Sequence, residues 1–341
     1  MNRRMTGRTI GAAAGLAVMV AGAPGALAAA PSWRVVKEVR DPARAVALRD
    51  VAAVGPRAAW AVGDDGRTPL LQRFNGSTWV KVAVPLRAAD GTYLGTVDAS
   101  SASDLWIFGR YGGHGLAARW DGARWRSHDL GGRTVTGAKV LGPRDVWVGA
   151  GTSAGHYDGR TWKFSGVGVT VRSVAASNTK DVWFAGQNGG SGAAIAHWDG
   201  KRYRRQSLPS IPAPSQLRDI VAFRPNNVWA VGSANGRPLI LHWDGRKWSR
   251  TVLPRGDGFV AVTADGRGGL WAADSVWAGA VYHYAGGRWT PTALPNPPSR
   301  FLSVGALANV RGTTRVWGAG TYLDEDPSNS LTTGAIFTNR G

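Results

Sequence analysis

The sequence contains no cysteine among its 341 residues. This absence excludes disulfide bonds, cysteine-based metal sites, thiol catalysis and a cysteine-linked lipid anchor. The fold must therefore be held together by its apolar core. A chain of this length buries enough surface to achieve that.

Glutamate is almost absent too, since Glu38 and Glu325 are the only two. Glycoside hydrolysis by paired carboxylates would therefore depend mainly on aspartates. No G-x-S-x-G elbow or H-x-x-x-H spacing occurs, and no Ser-His-Asp arrangement can be identified. The acidic segment 324–329 lacks the glycine and terminal glutamate of an EF-hand loop, so we expect a solvated loop there. The sequence predicts no catalytic residue, no cofactor and no metal site.

Long apolar runs are confined to the first thirty residues. A basic start is followed by the apolar stretch 10–20 and by small residues ending at Ala30. This layout predicts a secretory signal peptide over residues 1–30 with an A-x-A-type cleavage site. Gly, Ala and Pro24 disfavour a membrane anchor, and no later segment is long and apolar enough to span a membrane. We therefore expect a secreted protein, with the general secretory and twin-arginine routes both open.

The formal charge is strongly positive, at +19 for the whole chain and +16 without the three arginines of the signal segment. Such a protein attracts polyanions at low salt. Outside a cell the candidates are acidic polysaccharide, cell-wall polymer, DNA and anionic lipid. The charges are spread along the chain without a run of five or six of like sign, so we do not expect nucleic acid as a specific ligand.

Tryptophan, by contrast, is abundant and periodic. Seven copies of a strand leading into Trp recur at intervals of 46, 41, 36, 46, 42 and 46 residues. The tryptophans are Trp60, Trp106, Trp147, Trp183, Trp229, Trp271 and Trp317. This period is typical of one four-stranded propeller blade, and the frequent Gly and Asp-Gly turns argue against a helical repeat.

A second phrase follows each of the first six copies and predicts a hairpin. An aromatic residue precedes a short turn, usually Asn-Gly or Asp-Gly, and another aromatic follows it, as in Trp243-Asp244-Gly245…Trp248. Asn-Gly and Asp-Gly supply the positive φ angles that tight hairpins need. The flanking aromatics can stack across the hairpin. Each phrase is therefore a strand, a turn and a strand.

The fifth copy shows a whole blade, with strands predicted over 218–223, 227–232, 238–243 and 247–253. The seventh copy supplies only three, over 301–307, 316–318 and 334–337. A segment resembling the missing outer strand lies at 32–37. We therefore predict an all-β chain with a single domain over residues 31–341. It is a seven-bladed β-propeller of four-stranded blades, closed by its N-terminal strand, which protects the edges of the ring.

The phrases Asp-Val-Trp and His-Trp-Asp-Gly-x-x-Trp resemble those of secreted bacterial propeller-repeat proteins, over nearly all of the chain after residue 30. The resemblance implies the fold rather than an activity, because propellers host lectins, hydrolases, lyases and scaffolds. The Asp-Gly-x-x-Trp element is also similar to part of the Asp-box turn of sialidase-type propellers. It lacks the leading Ser, and such turns are structural in that family.

Four histidines, His156, His197, His242 and His283, occupy one repeat position. Because a residue that recurs in each blade usually serves the blade, we assign them a structural role rather than a ligand role. The same reasoning assigns most tryptophans to packing between blades and the Asp of each Asp-Gly to its turn.

The residues that differ between blades are the better ligand candidates, because variable loops on a rigid frame commonly carry function. In a propeller, the second-to-third strand loops and the blade-to-blade connections share one face. Asn, Asp, Arg and exposed aromatics suit sugar recognition, and Trp277 is extra to the repeat. The candidates are Asp64, Asp65, Arg67, Arg110, Tyr111, His114, Gln187, Asn188, Asn235, Arg237, Asp274, Trp277 and Tyr322.

The sequence favours an exported, non-catalytic and monomeric protein that binds carbohydrate or another cell-surface polymer through this face. One alternative is a protein-interaction scaffold, which a co-purifying partner would indicate. The other is a polysaccharide hydrolase or lyase that uses aspartates and arginines around the central channel. Turnover that depends on a channel aspartate would indicate the enzyme.

Overall fold

Seven antiparallel four-stranded sheets form a ring in the computed structural model of the chain. The structure describes residues 32–84, 86, 91–112, 114–275, 279–324 and 331–339. Residues 31–341 make one compact unit, and the predicted signal peptide lies outside the described residues. In the described part of the chain, no helix is suited to crossing a membrane.

The blades follow one another along the chain, each running from an inner strand to an outer one. Blade I contains β2 Ala47–Gly55, β3 Ala58–Asp64, β4 Pro69–Phe74 and β5 Trp79–Val82. Blade II contains β6 Tyr93–Ser101, β7 Asp104–Tyr111, β8 His114–Trp120 and β9 Trp125–Asp129. Blade III contains β10 Gly137–Gly142, β11 Asp145–Ala150, β12 Ser153–Tyr157 and β13 Trp162–Gly166. Blade IV contains β14 Thr170–Asn178, β15 Asp181–Gln187, β16 Ala193–Trp198 and β17 Tyr203–Arg205.

The remaining blades have the same order, except that the last one borrows a strand. Blade V contains β18 Ser215–Arg224, β19 Asn227–Ala234, β20 Arg237–Trp243 and β21 Trp248–Val252. Blade VI contains β22 Phe259–Ala264, β23 Leu270–Asp274, β24 Ala280–Ala285 and β25 Arg288–Ala293. Blade VII contains β26 Arg300–Asn309, β27 Val316–Asp324, β28 Thr333–Asn339 and the N-terminal strand β1 Trp33–Val39. The seven-bladed architecture predicted from the repeat is confirmed.

Closure of the ring uses the first described strand, as the incomplete seventh copy predicts. Strand β1 pairs antiparallel with β28, from Trp33 opposite Asn339 to Val39 opposite Gly334. The indole of Trp33 is buried and lies edge-on to Trp271 of blade VI, with the ring centroids 5.2 Å apart. The closing strand therefore completes blade VII and also packs against its neighbour.

The repeated tryptophans pack between blades. Six of the seven are buried and Trp229 is half-buried. Trp106 of blade II contacts Tyr157 and Trp162 in the hairpin of blade III, with centroids 5.2 and 5.6 Å away. Trp317 of blade VII contacts Phe74 and Trp79 of blade I in the same manner. Each hairpin thus supplies aromatic rings that cover the tryptophan of the preceding blade.

The four repeated histidines serve this packing. The ring of His197 stacks on Trp183 at 3.8 Å, and its Nε2 lies 2.7 Å from Oδ1 of Asp181. The same oxygen accepts a hydrogen bond from Nε1 of Trp183. Equivalent stacks join His156 to Trp147, His242 to Trp229 and His283 to Trp271. The histidines are thereby engaged within their blades.

The Asp-Gly turns act as the sequence predicts. Asp121 accepts hydrogen bonds from the backbone N–H groups of Ala123 and Arg124, and Gly122 between them has a φ of 94°. Only glycine adopts such an angle readily, so the dipeptide both reverses the chain and satisfies its amides.

Candidate ligand-binding face

The described candidate residues belong to one face of the ring, the loop face. We define it by the connections between the second and third strands of each blade and the connections between blades. These two kinds of loop are joined by backbone hydrogen bonds. Ser215 N–H donates to the Ser191 carbonyl at 2.7 Å, and Ser275 N–H donates to the Gly258 carbonyl at 2.7 Å. The two kinds of loop are therefore in contact at the end of the ring where the central channel opens.

The carboxylates of blade I are occupied by internal contacts. Oδ2 of Asp64 accepts a hydrogen bond of 2.8 Å from Nε of Arg49, and Oδ1 accepts one from Gly66 N–H. Oδ1 of Asp65 accepts from the N–H groups of Arg67 and Thr68. Burial alone would raise the pKa of Asp65, but these amides and the nearby Arg44 hold it below its usual value. Both candidates act first as loop-forming residues.

Asp274 of blade VI has a similar local role. Its Oδ1 accepts hydrogen bonds from the N–H groups of Asp257, Gly258 and Ser275, at 3.3, 3.2 and 2.8 Å. Its Oδ2 is buried without a partner among the described residues. This burial raises the pKa of the Asp274 carboxyl.

Three further candidates shape the loops. Oδ1 of Asn188 accepts from the N–H groups of Gly190 and Gly192 within its own loop. Asn235 has a φ of 48°, an angle that Asn tolerates in a turn. The ring of Tyr322 is buried, and its hydroxyl donates to the Pro295 carbonyl at 2.7 Å. A sugar bound at these positions would therefore have to form hydrogen bonds with the side-chain lone pairs and N–H groups that these internal contacts leave available.

The side chains open to solvent are mainly cationic or aromatic. The exposed candidates are Arg67, Arg110, Tyr111, His114, Asn235 and Arg237, and Gln187 and Asn188 are half-exposed. Tyr111 is 42% exposed, which is unusual for an aromatic side chain in this protein. Trp277 lies outside the described residues. The loop face thus offers guanidinium groups to a ligand while its described candidate carboxylates are internally bonded.

The central channel is lined by the seven inner strands and has a volume of about 580 Å³. A register shift in six of the inner strands turns one residue into the channel near its mouth, and Thr136 takes the corresponding place in blade III. These channel-mouth positions are Arg49, Gly95, Thr136, Arg172, Arg218, Val260 and Gly305. Three arginines therefore project into one ring of positions.

Sequence reasoning missed the channel-mouth arginines, although a signal for them exists. In blades I to VI the channel-mouth residue lies eleven positions before the repeated tryptophan, as Arg172 lies before Trp183. In blade VII the interval is twelve, from Gly305 to Trp317. The arginines stand out only when the repeats are aligned on tryptophan and the non-repeating residues of the inner strand are compared.

Glycines on the second strand allow this arrangement. Gly186 is paired with Val171 beside the register shift of blade IV, and a Cβ there would collide with the carbonyl oxygen of Thr170. A Cβ at Gly63 in blade I would collide with the carbonyl oxygen of Ala47. A Cβ at Gly232 in blade V would collide with that of Gln216. The close approach of the inner strand, and with it the placement of the arginines, requires residues without side chains here.

Aspartates lie deeper in the channel. Asp219 accepts hydrogen bonds from Ser173 Oγ and from the N–H groups of Ile220 and Val262. Burial among the inner strands raises the pKa of Asp219 to about 6 and the pKa of Asp50 to about 8. No group of three or more metal-ligating side chains occurs in the described part of the chain.

No protein-family model matches this chain, and no curated protein matches it either. Solved structures do. YCF48 bound to D1 peptide is 15% identical, with a TM-score of 0.64 over 90% of this chain and 96% of that chain. Virginiamycin B lyase from Staphylococcus aureus is 12% identical, with a TM-score of 0.66 over 89% and 99%. The WD40 β-propeller domain of Doa1 is 13% identical, with a TM-score of 0.60 over 89% and 96%.

At these identities the likeness shows the fold alone. The similar structures include a peptide complex, a lyase and a WD40 domain, so their names point to no single activity. The chain is a seven-bladed β-propeller of four-stranded blades.

Proposed function

We propose that this is an exported, non-catalytic protein that binds an acidic carbohydrate or another anionic cell-surface polymer through its loop face. The observation that carries the proposal is the division of charge on that face. The carboxylates Asp64, Asp65 and Asp274 accept hydrogen bonds from other groups of the protein, whereas Arg110 and Arg237 are open to solvent. Guanidinium groups recognise carboxylates and phosphates through paired hydrogen bonds.

The exposed ring of Tyr111 adds a stacking surface on the same loop face. It is 42% exposed and lies next to Arg110 at the end of strand β7. An aromatic ring can cover the apolar face of a sugar while neighbouring arginines contact its charged group. The combination of ring and guanidinium favours a sugar-containing polyanion over a simple inorganic ion.

The test is binding of the purified protein to a panel of acidic and neutral glycans and cell-wall polymers, at low and physiological salt. We expect saturable binding to acidic glycans that persists at the higher salt and weakens in Tyr111→Ala. Phe223→Ala is the matched control, because Phe223 is 38% exposed and lies on an inner strand toward the opposite end of the channel. Binding that vanishes at physiological salt would mean that net charge acts alone and would refute the proposal.

A second candidate is a peptide- or protein-binding scaffold. YCF48, which shares the fold, is bound to D1 peptide in its structure, and an acidic peptide would also suit a basic face. Co-purification of one protein partner from culture medium, without binding to any glycan of the panel, would favour this candidate.

A further inference from the structure

The channel-mouth arginines differ in whether a carboxylate of the protein forms an ion pair with them. In blade I, Arg49 is paired with Asp64, the partner of Ala47 at the end of strand β3. The equivalent residue in blade IV is Gln187, which is opposite Thr170, and in blade V it is Ser233, which is opposite Gln216. Blades IV and V keep the arginine but replace the carboxylate with a neutral side chain.

Arg172 and Arg218 consequently lack an ion-pair partner among the described residues, and both are exposed at the channel mouth. They belong to adjacent blades and are close enough to interact electrostatically. Partial desolvation of the guanidinium by the surrounding channel wall and, after it, the charge of Arg172 lower the pKa of Arg218. The nearby carboxylate of Asp219 is occupied by Ser173 Oγ and two backbone amides. Two neighbouring cations without a counter-charge form a site that an external anion stabilises.

We infer that Arg172 and Arg218 form a subsite for one pendant oxyanion of the ligand, a carboxylate or a phosphate on a sugar-containing polymer. The ligand oxyanion takes the part that Asp64 plays for Arg49 in blade I. The channel volume of about 580 Å³ is large enough for a single sugar unit to enter its mouth. This inference rests on the proposed function and adds the position and charge of the group that is recognised.

The first test compares Arg172→Gln/Arg218→Gln with Arg202→Gln/Arg205→Gln. The control pair is exposed and lies beside the hairpin and on the outer strand of blade IV, so both variants lose the same net charge. The probes are oligogalacturonate, its methyl ester and oligomannose bearing phosphomonoester groups, at physiological salt. We expect the channel-mouth variant to bind the charged probes at least about tenfold more weakly than the control variant. Preference between the two charged probes identifies carboxylate or phosphate as the group that binds.

The methyl ester keeps the sugar and removes the charge. Its affinity should be the same for the wild type and the channel-mouth variant. Equal affinities of the two double variants for both charged probes would overturn the inference while leaving the proposed function intact.

A second variant tests the subsite by filling it. Gln187→Asp rebuilds beside Arg172 the pair that blade I already has, so we expect it to weaken binding of the charged probes without lowering thermal stability. Retention of wild-type affinity in this variant would count against the subsite.

A third measurement does not depend on the polymer. Inorganic phosphate should raise the melting temperature of the wild type and of Arg202→Gln/Arg205→Gln, because a ligand that binds the folded state stabilises it. It should not do so for Arg172→Gln/Arg218→Gln. An equal phosphate effect on all three proteins would refute the subsite. A selective effect without polymer binding would keep the subsite and refute the proposed function.

Discussion

The carboxylate of Asp50 on the inner strand of blade I accepts a hydrogen bond of 2.9 Å from the backbone N–H of Val97 on the inner strand of blade II. Asp98 bonds to Val140 N–H of blade III in the same way, and Asp219 bonds to Val262 N–H of blade VI. Inner strands have an unpaired edge facing the channel. These aspartates use that edge to connect neighbouring blades.

Asp50 should make stability depend on pH. Burial raises its pKa from 3.8 to about 8, so the folded protein binds this proton over a range in which the unfolded chain has lost it. Across that range the Asp50 contribution to the free energy of unfolding decreases as pH rises. Asp50→Asn cannot lose the proton, and we expect its stability to fall less steeply between about pH 5 and about pH 8. Urea unfolding at several pH values measures this.

Asp244→Asn is the control for that experiment. Asp244 lies in an exposed hairpin, where the amides of Lys247 and Arg246 lower its pKa, so its effect belongs to the acidic end of the range. Parallel profiles for Asp50→Asn and the wild type between about pH 5 and about pH 8 would contradict the assignment.

The carboxylate of Asp181 anchors the rings of Trp183 and His197. Replacing it with alanine removes the acceptor for Trp183 Nε1, His197 Nε2 and Ser177 Oγ. Leaving these groups unpaired should lower the free energy of unfolding by about 2–4 kcal/mol. Denaturant unfolding provides the measurement.

Asp181→Asn is the matched variant, because Asn227 fills this position in blade V and accepts from Trp229 Nε1 at 2.8 Å. We expect it to retain more than half of the stability that alanine loses. Equal losses in the two variants would show that the acceptor oxygen is not what matters.

Ring closure by β1 should be worth a large share of the total stability. Trp33→Ala removes a buried indole that contacts Trp271 and Phe337, and we expect a loss of about 3–5 kcal/mol. Val36→Ala on the same strand changes a side chain that is 38% exposed, so its effect should stay below about 1 kcal/mol. Thermal unfolding distinguishes these expectations, and similar melting temperatures for the two variants would rule out a closing role for Trp33.

Gly186 should be intolerant of any side chain. A Cβ there meets the Thr170 carbonyl oxygen, so alanine must push strand β14 away from its neighbour. We expect Gly186→Ala to destabilise the protein by at least about 2 kcal/mol and to displace Arg172. Gly142→Ala is the control, because no atom lies within 4 Å of a Cβ at that position. A Gly186→Ala protein as stable as this control would disprove the steric argument.

The fold was predictable because several independent signals recur in each copy of the sequence repeat. Tryptophan spacing indicated the number of blades, and Asp-Gly turns located the hairpins. The seventh copy of the repeat supplied only three strands, and this identified β1 as the closing element. The predicted strand ends were less accurate. The prediction for β27 ended at Gly318, whereas the strand continues to Asp324, because the second half of the strand lacks the repeat pattern.

For the candidate site, the sequence could predict which face of the propeller carries it but not which side chains are available to a ligand. The sequence indicated that Asp64 and Asp274 lie on variable loops, but it could not show that backbone amides already occupy their oxygens. Those contacts depend on loop geometry rather than on residue type. The channel-mouth arginines were hidden because a register shift, which has no simple sequence signature, turns them inward.

The pairing of Trp33 with Asn339 also determines how the molecule can be attached to anything else. Strand β1 runs toward the loop face and β28 runs away from it, so the described chain ends lie side by side at the opposite end of blade VII. A tether, a tag or a neighbouring domain joined at either end would leave from the far side of the ring. The channel mouth with its three arginines would then face away from the point of attachment and stay accessible to a ligand.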